Sequence, residues 1–244
     1  MKNHRFIIEN FIHADDAFIT RRDILHHITT VLKLHAGEII IISSGMNDEN
    51  LFEIKKITRE KIFLKKLKES AHIKYWKRTV HLCAAILKRN NFELLVQKAV
   101  ETGVSRITPI ITHRTVKTGL VIARLNTIAR EAAEQCGRKD TIQIDEPTFL
   151  QDAFALVHPS KNKFFLDVSG KTLSKKIFMK GEPAILFVGP EGGWDEDEKQ
   201  MAYKNGCTLI SLGPTMLRAE TAGIIAGYLA AQMEDLGAKS KLHE

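Results

Sequence analysis

The stretch from Ala184 to Ala226 narrows the choice of fold more than any other part of this chain. It reads as two strand–loop–helix units in tandem, each with glycine at the end of an apolar run. Ala184 to Val188 suits a strand buried on both faces, and Gly189, Pro190, Glu191, Gly192 and Gly193 follow at once. Asp195 to Lys204 then predicts a helix, stopped by Asn205-Gly206. In the second unit Thr208 to Leu212 predicts a strand, Gly213-Pro214 a turn, and Ala219 to Leu236 a helix. Open α/β sheets bind ligands outside the carboxyl ends of their strands, where backbone approaches a small molecule most closely if no Cβ intervenes. The chemistry is expected in these two loops.

The charge of the first loop bears on the ligand. A glycine loop feeding a helix suits a phosphate, but Glu191, Asp195, Glu196, Asp197 and Glu198 would repel one. No lysine follows the glycines as in a P-loop, and the spacing is not G-x-G-x-x-G. A ligand of cationic character fits better. On the last helix Ala219, Ala222, Gly223, Ala226, Gly227 and Ala230 recur at three- and four-residue steps, making a face that other backbone can approach closely.

The formal net charge of +7 is unevenly spread: residues 1–73 carry 12 basic against 10 acidic groups, 74–139 carry 13 against 4, and 140–244 carry 11 against 15. A basic region beside a less basic ligand site is the arrangement expected if a polyanion is held next to a small molecule. A solvated surface is the plainer account. The 244 residues, 44% of them hydrophobic, allow two domains as readily as one. No apolar run reaches the roughly 20 residues of a membrane helix, and Met1 to Phe11 lacks a signal core, which points to the cytoplasm. Cys83, Cys136 and Cys207 are odd in number, far apart and never spaced C-x-x-C, which argues against a disulfide framework and a structural zinc.

Taken in order, Met1 to about Ser70 predicts a small β-rich unit, with strands in Arg5–Phe11, Glu38–Ser44, Leu51–Ile57 and Lys61–Leu67 and a helical piece over Thr29–Leu34. Its later strands carry Lys55, Lys56, Lys61, Lys65, Lys66 and Lys68, which suit either RNA or the guarding of sheet edges. Adjacent His26 and His27 face apart on a helix and do not share a metal, so one is expected to face RNA and the other to pack inward. Ser70 to Lys77 reads as a linker. Thr79–Leu87, Asn91–Thr102 and Arg106–Thr112 form a strand–helix–strand unit of the parallel kind. Lys88, Arg89, His113 and Arg114 fall just past its strand ends. Helices over Arg124–Gly137 and Phe149–Val157 and a strand over Lys163–Val168 complete the prediction.

GPEGGW at Gly189–Trp194 and LGPTMLRAETA at Leu212–Ala222 resemble the two signature motifs of the SPOUT methyltransferases. Upstream, Arg21–Ile42, Ile86–Val104, Thr108–Val116 and the Glu134-Gln135…Arg138 pattern are similar to the RsmE family of 16S ribosomal RNA uracil-N3 methyltransferases. The resemblance implies an α/β fold: a C-terminal SPOUT-type parallel sheet with a trefoil knot over residues 73–244, and a PUA-like RNA-binding β-barrel over residues 1–72. It implies S-adenosylmethionine as methyl donor, with S-adenosylhomocysteine as product and no metal, a homodimer, and 16S ribosomal RNA as substrate, met within the small ribosomal subunit. Carried onto this chain, the donor site falls on Val188, Gly189, Pro190, Glu191, Gly192, Gly193, Leu212, Gly213, Leu217 and Thr221. RNA contacts fall on Arg22, His26, His27, Lys88, Arg89, Arg114 and Arg138.

Uracil N3 carries a proton and is engaged when the base is paired, so the target must be unpaired and must lose that proton. Arg218 and Arg138 are candidates to stabilise the developing negative charge, and Glu191 or Glu220 to accept the proton. Structural work is the alternative for Glu220 and Arg218, with Glu220 capping its helix and Arg218 paired to it. Thr215, Trp194 and Ile142 depart from the family pattern. A non-catalytic RNA-binding or ribosome-assembly factor on the same fold is the competing reading; a nucleotide-binding enzyme is disfavoured by the acidic turn after Gly193.

Overall fold

The structure, a computed structural model, describes residues 3–232 apart from 13, 46, 47, 70–75, 77, 117, 118, 161, 175–178 and 180. The expected linker, Trp76 apart, and the last four residues of the expected final helix lie outside the described residues. The chain divides into two compact units, Met1–Lys74 with Ala133–Thr141, and Tyr75–Ala132 with Ile142–Glu244.

The first unit contains β1 (His4–Ile7), β2 (Asp16–Ile19), α1 (Arg22–His26), β3 (Ile39–Ser43), β4 (Asn50–Ile57) and β5 (Ile62–Glu69). The strands pair in the order β1–β3–β4–β5–β2; β1 joins β3 in parallel and the other pairs are antiparallel. Alternating residues turn Phe6, Ile19, Ile40, Phe52, Ile54 and Leu64 into one core. The expected helical piece begins earlier than Thr29: α1 starts at Arg22 and runs on into a widened turn over His27–Val31, where the Leu32 N–H donates to the carbonyl of His27, five residues back, at 2.9 Å. His26 is exposed while the His27 ring meets Phe6 edge-on at 5.9 Å, so the two do face apart.

Residues 133–141 belong to this unit through specific contacts. The Ile7 N–H donates to Glu134 Oε1 at 2.9 Å, and Ser43 Oγ donates to the Lys139 carbonyl at 2.5 Å. Arg5 pairs with Glu49, whose other oxygen lies 4.0 Å from Lys139 Nζ. All three charged side chains are buried, with 9%, 0% and 3% exposure for Arg5, Glu49 and Lys139.

The second unit adds β6 (Val80–Ala85), α2 (Arg89–Glu101), β7 (Arg106–Ile111), α3 (Ile122–Cys136), which crosses into the 133–141 segment, β8 (Gln143–Ile144), β9 (Thr148–Phe149) and α4 (Leu150–Leu156). It continues with β10 (Asn162–Thr172), β11 (Ala184–Val188), α5 (Glu196–Lys204), β12 (Thr208–Ser211) and α6 (Ala219–Gln232). The sheet order is β12–β10–β11–β6–β7–β8, with β9 also on β7, and every pairing is parallel. All five residues of β11 are buried, as expected for a strand covered on both faces.

The small residues of α6 do a different job from the one expected. A Cβ on Gly223 would sit 2.8 Å from Leu95 Cδ1, and one on Gly227 2.8 Å from Val104 Cγ2. The face thus receives side chains from α2 and the turn after it, rather than backbone. Backbone approaches closely elsewhere, at Gly170. Leu166 and Lys171 of β10 both stand opposite Ile210 of β12, so residues 167–170 bulge out of register. A Cβ on Gly170 would lie 2.5 Å from the Ile210 nitrogen. Backbone cannot yield as a side chain can, so Gly170→Ala is expected to cost about 1–3 kcal/mol. Urea unfolding monitored by circular dichroism reads this directly.

Candidate functional site

The bulge in β10 and the two glycine loops after β11 and β12 enclose a cavity of about 860 Å³ at the carboxyl ends of these strands. Val188, Gly189, Pro190, Glu191, Gly192 and Gly193 line it from the first loop. Leu212, Leu217, Arg218 and Glu220 line it from the second, and Lys88 from the start of α2. Gly213 and Thr221 are adjacent but not in the wall, and Arg89, Arg114 and Arg138 do not line it.

Each glycine has a local reason. At Gly189 a Cβ would come within 2.9 Å of the Trp194 ring. That ring is held from both sides: it lies 4.0 Å, centroid to centroid, from Phe165, and its Nε1–H donates to the Leu166 carbonyl at 2.9 Å. Trp194 therefore ties the first loop to the strand next to it. Gly193 takes a φ of +69° and closes a turn, its N–H donating to the Pro190 carbonyl at 2.9 Å. Gly192 leaves room for Arg114, whose Nη1 donates to the Gly192 carbonyl at 2.6 Å.

The acids of the following helix turn away from the cavity. Asp195 and Glu198 form a reciprocal capping box on α5, and buried Glu198 also accepts the His113 N–H at 3.0 Å. His113, Asp195 and Glu198 place ligand atoms within 4.8 Å of one another, but the acid oxygens already accept from backbone N–H groups and His113. The acids that do line the cavity are Glu191, Glu220 and Asp167, the last also 3.6 Å from Lys199 Nζ; sequence reading missed Asp167 because the bulge that presents it depends on a strand some forty residues further on.

Pairing with Asp195 raises the His113 pKa above its ordinary value near 6.5. A raised histidine pKa means that this contact stabilises the fold below about pH 6.5 and is lost as pH rises through the folded value. The His113 ring resonances are expected to titrate above pH 6.5, and lower in Asp195→Asn.

The sharpest feature is Glu220. It is 5% exposed at the first turn of α6, lines the cavity, and its Oε2 has no hydrogen-bond partner among the described residues. Arg218, two residues earlier, is exposed and makes no ion pair among the described residues, so the structural Arg218–Glu220 pairing is not formed. Several other arginines are committed. Arg89 and Arg124 both hold Glu93, with Nε to Oε1 distances of 2.9 and 2.6 Å, and push its pKa down to about 2. Arg138 lies in the 133–141 segment and pairs with Asp140 at 3.2 Å. Arg22, His26 and His27 lie on the helical stretch of the first unit.

Comparison with known proteins agrees with both units. An RNA methyltransferase domain model matches residues 74–231, and an RNA methyltransferase PUA domain model matches residues 19–67. The ribosomal RNA small subunit methyltransferase E of Rickettsia conorii is 31% identical over 224 residues, covering 87% of each chain. That of Mesomycoplasma hyopneumoniae is 30% identical over 228 residues, covering 91% of this chain and 96% of its own. The Neisseria gonorrhoeae enzyme of that name, solved bound to S-adenosyl methionine, superposes with a TM-score of 0.86 at 27% identity, over 96% of this chain and 98% of its own. With its parallel sheet, its PUA-like first unit and its glycine-walled cavity, this chain belongs to the ribosomal RNA small subunit methyltransferase E family.

Proposed function

We propose that this chain transfers the methyl group of S-adenosylmethionine to N3 of one uridine in 16S ribosomal RNA. The observation that carries this reading is the buried, open oxygen of Glu220 in the wall of the cavity. Leaving such an oxygen without a donor costs about 1–3 kcal/mol or more, a cost retained where a ligand supplies the partner. When bound, S-adenosylmethionine supplies an electrophilic methyl carbon on a positively charged sulfur. Val188, Leu212 and Leu217 offer it apolar walls, and the glycine loops offer unobstructed backbone groups.

The residues divide the remaining work by position. Buried Glu220 faces the donor, while exposed Glu191 on the rim takes the N3 proton as the nitrogen–carbon bond forms and the carbon–sulfur bond breaks, releasing S-adenosylhomocysteine. The exposed guanidinium of Arg218 meets the charge that develops on the uracil carbonyl oxygens, and Lys88 on the rim meets phosphate. Arg138, tied to Asp140, positions its own segment.

A homodimer is supported by exposed Leu94 on α2 and Ile225 and Tyr228 on α6; a trefoil knot rests on the family resemblance. Small-subunit RNA as substrate puts the protein in the cytoplasm. Two measurements test the function. Calorimetry is expected to show S-adenosylmethionine binding to the pure protein, and mass spectrometry of 16S RNA from cells lacking it to show one missing N3-methyluridine. No donor binding with a full set of methyl groups would turn the reading to the non-catalytic assembly factor.

A further inference from the structure

The outer face of the first unit carries an aromatic pair that nothing in the methyl-transfer site uses. Phe18 of β2 and Phe63 of β5 are direct cross-strand partners, 55% and 41% exposed. Their neighbours Ala17, Ile19, Ile62 and Leu64 point into the core, so the alternation of the strands fixes both rings outward. On the far side of Phe63 its β4 partner is exposed Lys56. On the near side Lys61 Nζ stands 4.8 Å from the centre of the Phe18 ring. The next row along the sheet is balanced, with Lys65 between Asp16 and Glu53.

Lysines on an outer strand are explained by edge protection, but a bare phenylalanine on the terminal strand β2 is not: it is the feature edge protection removes. Two adjacent exposed rings with cations beside them match what unpaired nucleic acid takes, since bases stack on aromatic rings and their phosphates seek ammonium groups. We propose that Phe18 and Phe63, with Lys56 and Lys61, form a stacking platform for unpaired bases of RNA, separate from the cavity where methyl transfer takes place. The proposal borrows from the functional reading only the class of ligand.

The test is fluorescence anisotropy of the full chain with a single-stranded oligouridine of about a dozen nucleotides. Phe18→Ala with Phe63→Ala is expected to weaken binding about tenfold or more at fixed salt. The double leucine variant, which keeps apolar area but no ring, is expected to lose most of the same affinity, and the double tryptophan variant to restore it. Lys56→Gln and Lys61→Gln are each expected to flatten the dependence of log affinity on log salt by about 0.7. Unchanged affinity in the alanine variant overturns the proposal, and so does wild-type affinity in the leucine variant. A change of sedimentation in the alanine variant would assign the face to protein contact and overturn it as well. Calorimetry with S-adenosylmethionine on the same proteins keeps the two readings apart. Donor binding is expected to be untouched by these variants, and its absence from the wild type would remove the methyltransferase reading while leaving the platform to stand or fall on the RNA data.

Discussion

Arg218→Ala is expected to lower the turnover of uridine methylation about 100- to 1,000-fold, the range found when one donor to a developing oxyanion is removed. Donor affinity is expected to stay within about twofold. The argument is positional. Arg218 borders the cavity, is exposed, and has no ion-pair partner among the described residues, so its charge is not spent on the fold. Arg218→Lys keeps the charge but not the planar fork of donors, and is expected to recover only part of the rate. Single-turnover methylation of 16S RNA with calorimetry on the same proteins gives both numbers. Equal turnover in wild type and Arg218→Ala would take the residue out of the chemistry; loss of donor binding would move it to the donor side.

Glu49→Ala is expected to destabilise the first unit by about 3–5 kcal/mol, the cost of removing one partner from a buried ion pair. Glu49 has no side-chain exposure, and it faces Arg5 and Lys139, themselves nearly buried. Without the carboxylate, Arg5 and Lys139 lose the buried anion they share. Replacing the group as a whole by apolar side chains of similar volume is expected to be far milder, because the penalty comes from the orphaned charge rather than from the loss of attraction. Urea unfolding of Glu49→Ala and of an Arg5→Met, Glu49→Leu, Lys139→Met triple variant separates the two effects.

How far the sequence disclosed the molecule depends on whether the signal was local. Ala184–Val188 and Thr208–Ser211 were legible as strands because an apolar run ending in glycine contains its own instructions, and the cavity lies where those glycines stand. The strand Asp16–Ile19 was not legible, since four residues beginning with an acid give too short an alternation. The two-residue strands β8 and β9 exist only through their partner β7. The widened turn at His27–Val31 leaves no trace in a 3.6-residue period. The acids Asp195 to Glu198 are clustered as expected, but they stand at the start of a helix rather than in the cavity wall, where Asp195 and Glu198 form its capping box. Asp167 and the Trp194–Leu166 tie were out of reach, because each depends on which strands end up side by side.

The allegiance of residues 133–141 has a consequence for how such a protein can be rearranged. A gene fragment ending at Lys74 would encode β1 without the Glu134 acceptor for Ile7 and leave Glu49 short of Lys139, so the RNA-binding module is discontinuous and cannot be transplanted by a single splice. Any ancestral recombination that moved it had to carry a distant insert along, or rebuild that insert in the new host.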